Sequence, residues 1–169
     1  VLSDIIELFV NAEYEVTIHS TKGKNDAMEV TLERGEEFDI IVASGGDGTL
    51  SEVINGLMTK PREKRPRVGF IPTGTTNDFA MNFKISKLGI NAAKAVVLGK
   101  PFDYDIGQFN EKYFHYVASF GLFANVAYST PQAFKNAMGR MAYILEGARS
   151  LAKVKSYNMR IEYDSNIIE

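Results

Sequence analysis

The chain has 169 residues, of which 45% are hydrophobic and 24% charged, so its composition is that of a globular protein. A formal net charge of -2 argues against a nucleic-acid partner held by bulk electrostatics, and the absence of cysteine excludes disulfides and thiolate metal sites and fits the cytoplasm. No apolar run approaches the roughly 20 residues that span a bilayer, so we expect any membrane contact to be peripheral.

The chain is predicted to open on a helix. Residues 2–10 place their apolar side chains at helical spacing, and residues 15–20 then alternate in the manner of a strand. Residues 26–34 predict a second helix, which Gly35 closes.

A strand-loop-helix pattern follows twice. Residues 38–43 are a short, continuously apolar run, which is typical of a strand buried on both faces of a parallel sheet. Apolar residues at helical spacing then predict an amphipathic helix over residues 50–58. Residues 68–72 predict the next strand, and residues 90–98 a later helix. This alternation predicts the α/β fold class with a mostly parallel sheet, in a domain over residues 1–100.

The composition changes near Pro101, where aromatic-rich alternating runs flank Asn110 and Glu111 and predict an antiparallel hairpin. Residues 131–153 have a helical pattern, and NMRIEYDSNIIE begins a further hairpin. We therefore expect residues 101–169 to be the start of a β-rich second domain. A chain that begins on a helix and ends in a strand is interpreted as a fragment, lacking the first strand of its α/β domain.

The loop GGDG joins the first apolar strand to its helix. Its glycines, Gly45, Gly46 and Gly48, remove the Cβ atoms that would keep a phosphate from the backbone amides at a helix start. Thr49 and Glu52 have the spacing of a capping box. Asp47 is unexpected beside a phosphate, unless a magnesium ion shares the site. The alternative is a tight turn in which Asp47 is a local acceptor.

A second polar loop, PTGTTNDFA, follows the next buried strand and supplies Gly74 and Asp78 at a helix start. Adjacent parallel strands deliver such loops to the same sheet edge, so Asp47 and Asp78 are expected to flank one metal-bound nucleotide. The alternative, that Asn77 or Asp78 only caps the helix, is compatible with that function.

The motifs GGDGTLSEVINGL, PTGTTNDFA and DYDIG resemble, in order and spacing, those of the diacylglycerol-kinase catalytic-domain family, which includes bacterial lipid kinases and sphingosine-kinase relatives. The resemblance covers essentially the whole chain. It implies a nucleotide-binding α/β domain packed on a β-rich domain, and an ATP-dependent lipid kinase that transfers the γ-phosphoryl group to a diacylglycerol-like hydroxyl.

The resemblance also implies roles for individual residues. The residues expected to bind the ATP phosphates are Gly45, Gly46, Asp47, Gly48, Thr49, Leu50 and Ser51. Thr21 and Thr75 would contact the nucleotide. Asp105 would join Asp47 and Asp78 as catalytic carboxylates in a network of Mg²⁺ and water. Ser51 stands where the family often has asparagine. The general base, a glutamate, is expected beyond residue 169, so the fragment alone is predicted to be inactive.

Two other functions stay open: an NAD kinase-like enzyme, whose related fold also uses a GGDG loop, and a non-catalytic nucleotide- or lipid-binding module. The expected partner is a lipid at a membrane surface, reached from the cytoplasm at the inner face, with a homodimer left open. The basic run at residues 60–67 could attract an anionic membrane, although a solvated connector is favoured. His19 and His115 lack metal-ligand spacing, and ordinary packing or surface roles are favoured for both.

Overall fold

The computed structural model describes residues 1–119 and 158–168. The chain forms two compact units, Val1–Val117 and Ala118–Glu169. The helices described are α1 (Leu2–Asn11), α2 (Asp26–Arg34), α3 (Asp47–Met58), α4 (Asp78–Asn82) and α5 (Gly89–Leu98). The strands described are β1 (Ile40–Gly45), β2 (Arg67–Pro72), β3 (Gly107–Phe109), β4 (Lys112–Phe114), β5 (Ile161–Tyr163) and β6 (Asn166–Ile168).

β1 and β2 pair in parallel, in a register that runs from Ile40 opposite Arg67 to Gly45 opposite Pro72. This pairing confirms the predicted parallel sheet and the α/β fold class. β1 lies two residues further along the chain than the apolar run at residues 38–43 predicts. The carboxyl ends of both strands therefore reach the same edge of the sheet, where the two glycine loops begin.

Helices cover both faces of this sheet. The face with Ala43 and Phe70 packs against α2 and α3, and the face with Ile71 packs against α1 and α5. The predicted apolar stripe of α3 is confirmed. Its buried residues are Leu50, Val53, Ile54 and Leu57. A three-layer arrangement of helices, sheet and helices results, and it holds the first turn of α3 rigidly at the sheet edge.

α2 and α3 approach each other closely at Gly56. A Cβ atom on Gly56 would lie 2.7 Å from the Met28 carbonyl oxygen and 2.9 Å from Thr31 Cβ. Only glycine allows the two helix backbones to come this near. α2 has the predicted bounds, and Gly35 ends it as predicted.

The strand predicted over residues 15–20 is wrong. Val16 packs against the core beneath α1 and α5, but Thr17 and Ile18 are exposed, and no strand is formed there. A strand needs a partner for its backbone groups, and among the described residues β1 and β2 pair only with each other. In residues 15–20 the alternating pattern therefore belongs to an irregular segment that packs on the core through Val16.

Both predicted hairpins are present. β3 and β4 pair around Asn110, whose left-handed φ of 54° suits a tight turn, and β5 and β6 pair around Asp164, with a φ of 51°. The β3–β4 hairpin lies in the first compact unit, although we assigned it to the second domain; the domain boundary at residue 100 remains a prediction. The helix predicted over residues 131–153 lies outside the described residues.

Candidate functional site

The two glycine loops touch each other at the carboxyl edge of the sheet. The backbone N–H groups of Thr73 and Gly74 both donate to the Gly45 carbonyl oxygen, at 2.8 and 3.2 Å. A Cβ atom on Gly74 would lie only 2.5 Å from Gly46 Cα. The prediction that the loops meet is therefore confirmed, and two glycines are what permit the contact.

The N-terminus of α3 presents unpaired backbone amides. Gly46 is the N-cap residue, and the first intrahelical hydrogen bond runs from Leu50 N to Gly46 O at 3.2 Å. In the part of the chain that the structure describes, the N–H groups of residues 46–49 have no acceptor. In proteins generally, such a cluster of donors at the positive end of a helix dipole attracts anions such as phosphate.

Asp47 is the first residue of α3, and its side chain caps a different helix. Its Oδ2 accepts a hydrogen bond from Asp78 N at 2.9 Å, and its Oδ1 accepts one from Phe79 N at 3.1 Å. These amides are the first two of α4. The interpretation that Asn77 or Asp78 caps this helix is therefore wrong, because α4 has no side-chain cap from Asn77 and Asp47 takes that position from the neighbouring loop.

Asn77 braces the second loop from within. It is buried, adopts a left-handed φ of 56°, and exchanges two hydrogen bonds with the backbone of Gly74, at 3.0 and 2.7 Å. Thr75 is exposed beside it, whereas the Thr76 hydroxyl is buried without a hydrogen-bond partner among the described residues. The loop is thus held rigidly where it meets Gly46.

The predicted capping box of Thr49 and Glu52 is wrong. α3 has no side-chain cap, and Glu52 Oε1 instead accepts a hydrogen bond from Asn25 N at 2.9 Å. Thr49 folds back against Gly45, where a Cβ atom would overlap it. Since α3 begins at Asp47, Thr49 lies too far inside the helix to be its N-cap.

The hydrogen bond from Asn25 N to Glu52 attaches the segment that carries Thr21 to α3. Thr21 is exposed, and its neighbour Lys22 donates its N–H to Asp26 Oδ2 at 2.9 Å. His19 Nε2 lies 2.8 Å from the same oxygen, and these two contacts lower the pKa of the Asp26 carboxyl, the His19 contact most. Thr21 therefore lies in a turn that the Asp26 side chain closes.

The other predicted site residues have different environments. Leu50 is a core residue with 2% of its surface exposed, and its amide is already bonded within α3. Ser51 is half-buried. Asp78 and Asp105 have exposed side chains with no hydrogen bond or ion pair among the described residues. The described part of the chain contains no group of three or more His, Cys, Asp or Glu side chains close enough together to hold a metal ion directly.

His115 lies near Asp47 and was missed as a residue of this region. It follows β4, only 7% of its surface is exposed, and neither ring nitrogen has a hydrogen-bond partner within the described parts of the chain. Its ring meets the Phe79 ring edge to face at 5.2 Å. Burial lowers the pKa of the imidazole, and the negative charge of Asp47 acts weakly in the opposite direction. The sequence offers no signal for this burial, because KYFHYV places aromatic residues on both faces of the strand.

The basic run at residues 60–67 makes many internal contacts. Lys60 and Lys64 pair with Glu36, at 3.2 and 3.3 Å. Arg65 donates to the carbonyl oxygens of Lys60 and Met58. These contacts support the connector interpretation. The run also lines a groove of about 410 Å³, but this groove lies at the amino ends of β1 and β2, away from the glycine loops.

No helix in the described ranges has the length and apolarity that crossing a membrane requires. The geometry defines an α/β protein in which two glycine loops meet at the carboxyl edge of a parallel sheet, beside the free amides of a helix N-terminus.

Comparison with known proteins agrees with this class. The family model described as the diacylglycerol kinase catalytic domain matches residues 1–109, and the chain belongs to this family. It is 39% identical over 170 residues to a diacylglycerol kinase of Bacillus subtilis (strain 168), a match that covers 99% of this chain and 55% of that protein. It is 37% identical over 169 residues to a diacylglycerol kinase of Staphylococcus aureus (strain JH9), with 99% and 53% covered.

Among solved structures, a crystal structure of a diacylglycerol kinase from Bacillus anthracis str. Sterne matches with a TM-score of 0.61 and 32% identity, covering 67% of this chain and 41% of that one. The chain spans about half the length of the two relatives named above.

Proposed function

We propose that this chain is the nucleotide-binding part of an ATP-dependent lipid kinase, which transfers the γ-phosphoryl group of ATP to a hydroxyl of a diacylglycerol-like lipid. The observation that carries the proposal is the junction of the two loops at Gly46 and Gly74, with four free amides on one side and the Asp47 carboxylate on the other. Family membership supports it, as do the names of the relatives.

The amides of residues 46–49 would hold ATP phosphate oxygens. Backbone donors that are fixed before the ligand arrives need no reorganisation, and phosphoryl transfer depends mainly on such alignment and on charge stabilisation. Thr21, Ser51 and Thr75 would add polar contacts to the nucleotide. The proton of the acceptor hydroxyl would go to a general base outside these 169 residues.

Carboxylates at this junction suit a hard cation, since Mg²⁺ is usually held by one or two carboxylates together with phosphate oxygens and water. The side chains of Asp78 and Asp105 are exposed and make no hydrogen bond or ion pair within the described residues. Each Asp47 oxygen accepts one backbone amide and keeps a further lone pair. Asp47, Asp78 and Asp105 would therefore hold Mg²⁺ through water. The ion would supply charge neutralisation at the phosphates.

The acceptor would be reached at a membrane surface, from the cytoplasmic side, by a peripheral protein. The test uses the full-length protein with γ-labelled ATP, mixed micelles that contain diacylglycerol, phosphatidylglycerol or a sphingoid base, and NAD in the aqueous phase. We expect label in the diacylglycerol fraction, with a dependence on Mg²⁺. Label that appears only in NAD, or in none of the acceptors, would overturn the proposal.

A further inference from the structure

Asn55 bonds α3 to the β3–β4 hairpin through its side-chain amide. It lies in the third turn of α3, half-buried against β4. Its Nδ2 donates to the Tyr113 carbonyl oxygen at 2.9 Å, and its Oδ1 accepts from Tyr113 N at 3.0 Å. Both polar atoms of one side chain are thus paired with the backbone of one residue, 58 positions later in the chain.

This pairing reproduces a strand contact. A carboxamide has the donor and acceptor of a peptide group, so Asn55 gives Tyr113 the same exchange of N–H and C=O that an antiparallel strand would give. On its other side Tyr113 stands opposite Gln108 of β3. A hairpin with strands of three residues is at most marginally stable alone, so this attachment to α3 contributes to its position.

A third hydrogen bond fixes the orientation of the amide. Nδ2 also donates to the Ser51 carbonyl oxygen, one turn earlier in α3, at 2.8 Å. The chemistry requires asparagine. Aspartate would place an oxygen against the carbonyls of Ser51 and Tyr113, and leucine would leave the Tyr113 backbone groups unpaired.

The clamped hairpin carries residues of the candidate site at both of its ends. Asp105 stands two residues before Gly107, the first residue of β3, which pairs with Phe114. Two residues of extended chain span about 7 Å, so the hairpin limits how far Asp105 can move. His115 follows β4 directly and lies in the electrostatic field of Asp47. The attachment of Tyr113 to Asn55 therefore sets where both residues stand relative to the first turn of α3.

We propose that Asn55 is a positioning residue, which holds the segment from Asp105 to His115 in register with the phosphate-binding end of α3. This inference rests on the proposed function. Asn55 acts through the hairpin, so its loss displaces Asp105 while leaving the amides of residues 46–49 in place. The expected consequence is a defect in kcat and in the use of Mg²⁺, with little change in the KM for ATP.

The test compares Asn55→Asp with Asn91→Asp in the full-length protein. Asn91 is exposed in the first turn of α5, and its side chain makes no hydrogen bond to any described residue, so this control makes the same chemical change outside the site. For Asn55→Asp we expect kcat to fall on the order of 10- to 100-fold per folded molecule, because small misplacements of reacting groups reduce the rate by about this much. The Mg²⁺ concentration for half-maximal activity should rise. Thermal melting gives the folded fraction at the assay temperature.

Two readouts do not depend on lipid transfer. Amide hydrogen exchange at Tyr113 should be faster in Asn55→Leu, which removes the acceptor of this amide, than in the control. Mg²⁺ should strengthen ATP binding less in Asn55→Asp and Asn55→Leu than in the control. Equal exchange at Tyr113 would overturn the clamp, and a kcat and Mg²⁺ dependence equal to the control would overturn the positioning role. A wild-type protein that labels no lipid would count against the proposed function instead, and ATP binding would then decide the role of Asn55.

Discussion

The carboxylate of Asp47 accepts a hydrogen bond from the backbone N–H of Asp78 at 2.9 Å, across a gap of 31 residues in the sequence. Asp47 begins α3, and Asp78 begins α4. One aspartate thus fixes the starts of two helices relative to each other. The amides of α3 remain free because the carboxylate in their own loop is bonded to another helix.

Asp47→Asn should weaken both the fold and the transfer reaction. The new carboxamide would point an N–H₂ group at one of the two α4 amides, so one cap hydrogen bond is lost. A lost cap costs about 1 kcal/mol of unfolding free energy. Phosphoryl transfer should fall by at least about tenfold. Asp39→Asn is the matched control, because Asp39 is exposed just before the opposite end of β1. Equal activity in the two variants would show that Asp47 has no role in transfer.

Gly74→Ala should destabilise the protein. The new Cβ atom would lie 2.5 Å from Gly46 Cα and 2.8 Å from Asn77 Oδ1, and neither neighbour is a flexible side-chain end. Overpacking of this kind costs about 1–3 kcal/mol, which thermal or urea unfolding measures. A melting temperature equal to that of the wild type would mean that the two loops are not in contact.

Gly48→Ala should weaken ATP binding without destabilising the fold. No atom lies within 4 Å of where its Cβ would be, and alanine suits a helix better than glycine by about 1 kcal/mol. We expect an unchanged or higher melting temperature, together with weaker ATP binding, because the methyl group would enter the space that the phosphates occupy in the proposal. Gly89→Ala also adds a methyl group in the first turn of a helix, in ordinary van der Waals contact with Ile5 and Ile71 and outside the two loops, and should leave ATP affinity unaltered. Unimpaired ATP affinity in Gly48→Ala would contradict the phosphate site.

Acidification should destabilise the folded protein through His115. Burial lowers the pKa of His115 in the folded state, so the unfolded chain binds the proton first as the pH falls below about 6.5. The contribution to stability is complete above that pH and is lost as the pH falls towards the folded-state pKa, at no more than about 1.4 kcal/mol per pH unit.

Urea unfolding between pH 7 and pH 5 measures this loss, with His115→Phe as the variant that abolishes it. A slope in His115→Phe equal to that of the wild type would contradict the assignment.

The parts of the fold that the sequence predicted are those set by local pattern. A continuous apolar run predicted β1 to within two residues, and the 3.6-residue spacing of Leu50, Val53, Ile54 and Leu57 predicted the buried stripe of α3. The meeting of the two loops followed from parallel topology, because parallel neighbours deliver their loops to one edge.

The long-range polar contacts could not be predicted in this way. Glu52 had a local partner in the capping-box pattern, but it bonds Asn25 through the packing of α2 on α3, which the sequence does not encode as a motif. The partners of Asp47 are backbone amides. Every residue except proline has a backbone N–H, so the residue types at the partner positions could not reveal the contact. The prediction of a strand at residues 15–20 was wrong because alternation describes a side-chain pattern and does not show whether a pairing partner exists.

The most direct test of the central claim is an NMR titration of the full-length protein, isotope-labelled on glycine and threonine, with ATP and Mg²⁺. If the α3 N-terminus and the second loop bind the nucleotide phosphates, the largest shifts will occur at the amides of Gly46, Gly48, Thr49 and Thr75, and Gly99, at the end of α5, will be unaffected. Unshifted amides of Gly46, Gly48 and Thr49, in a protein that binds ATP, would place the nucleotide elsewhere and contradict the account.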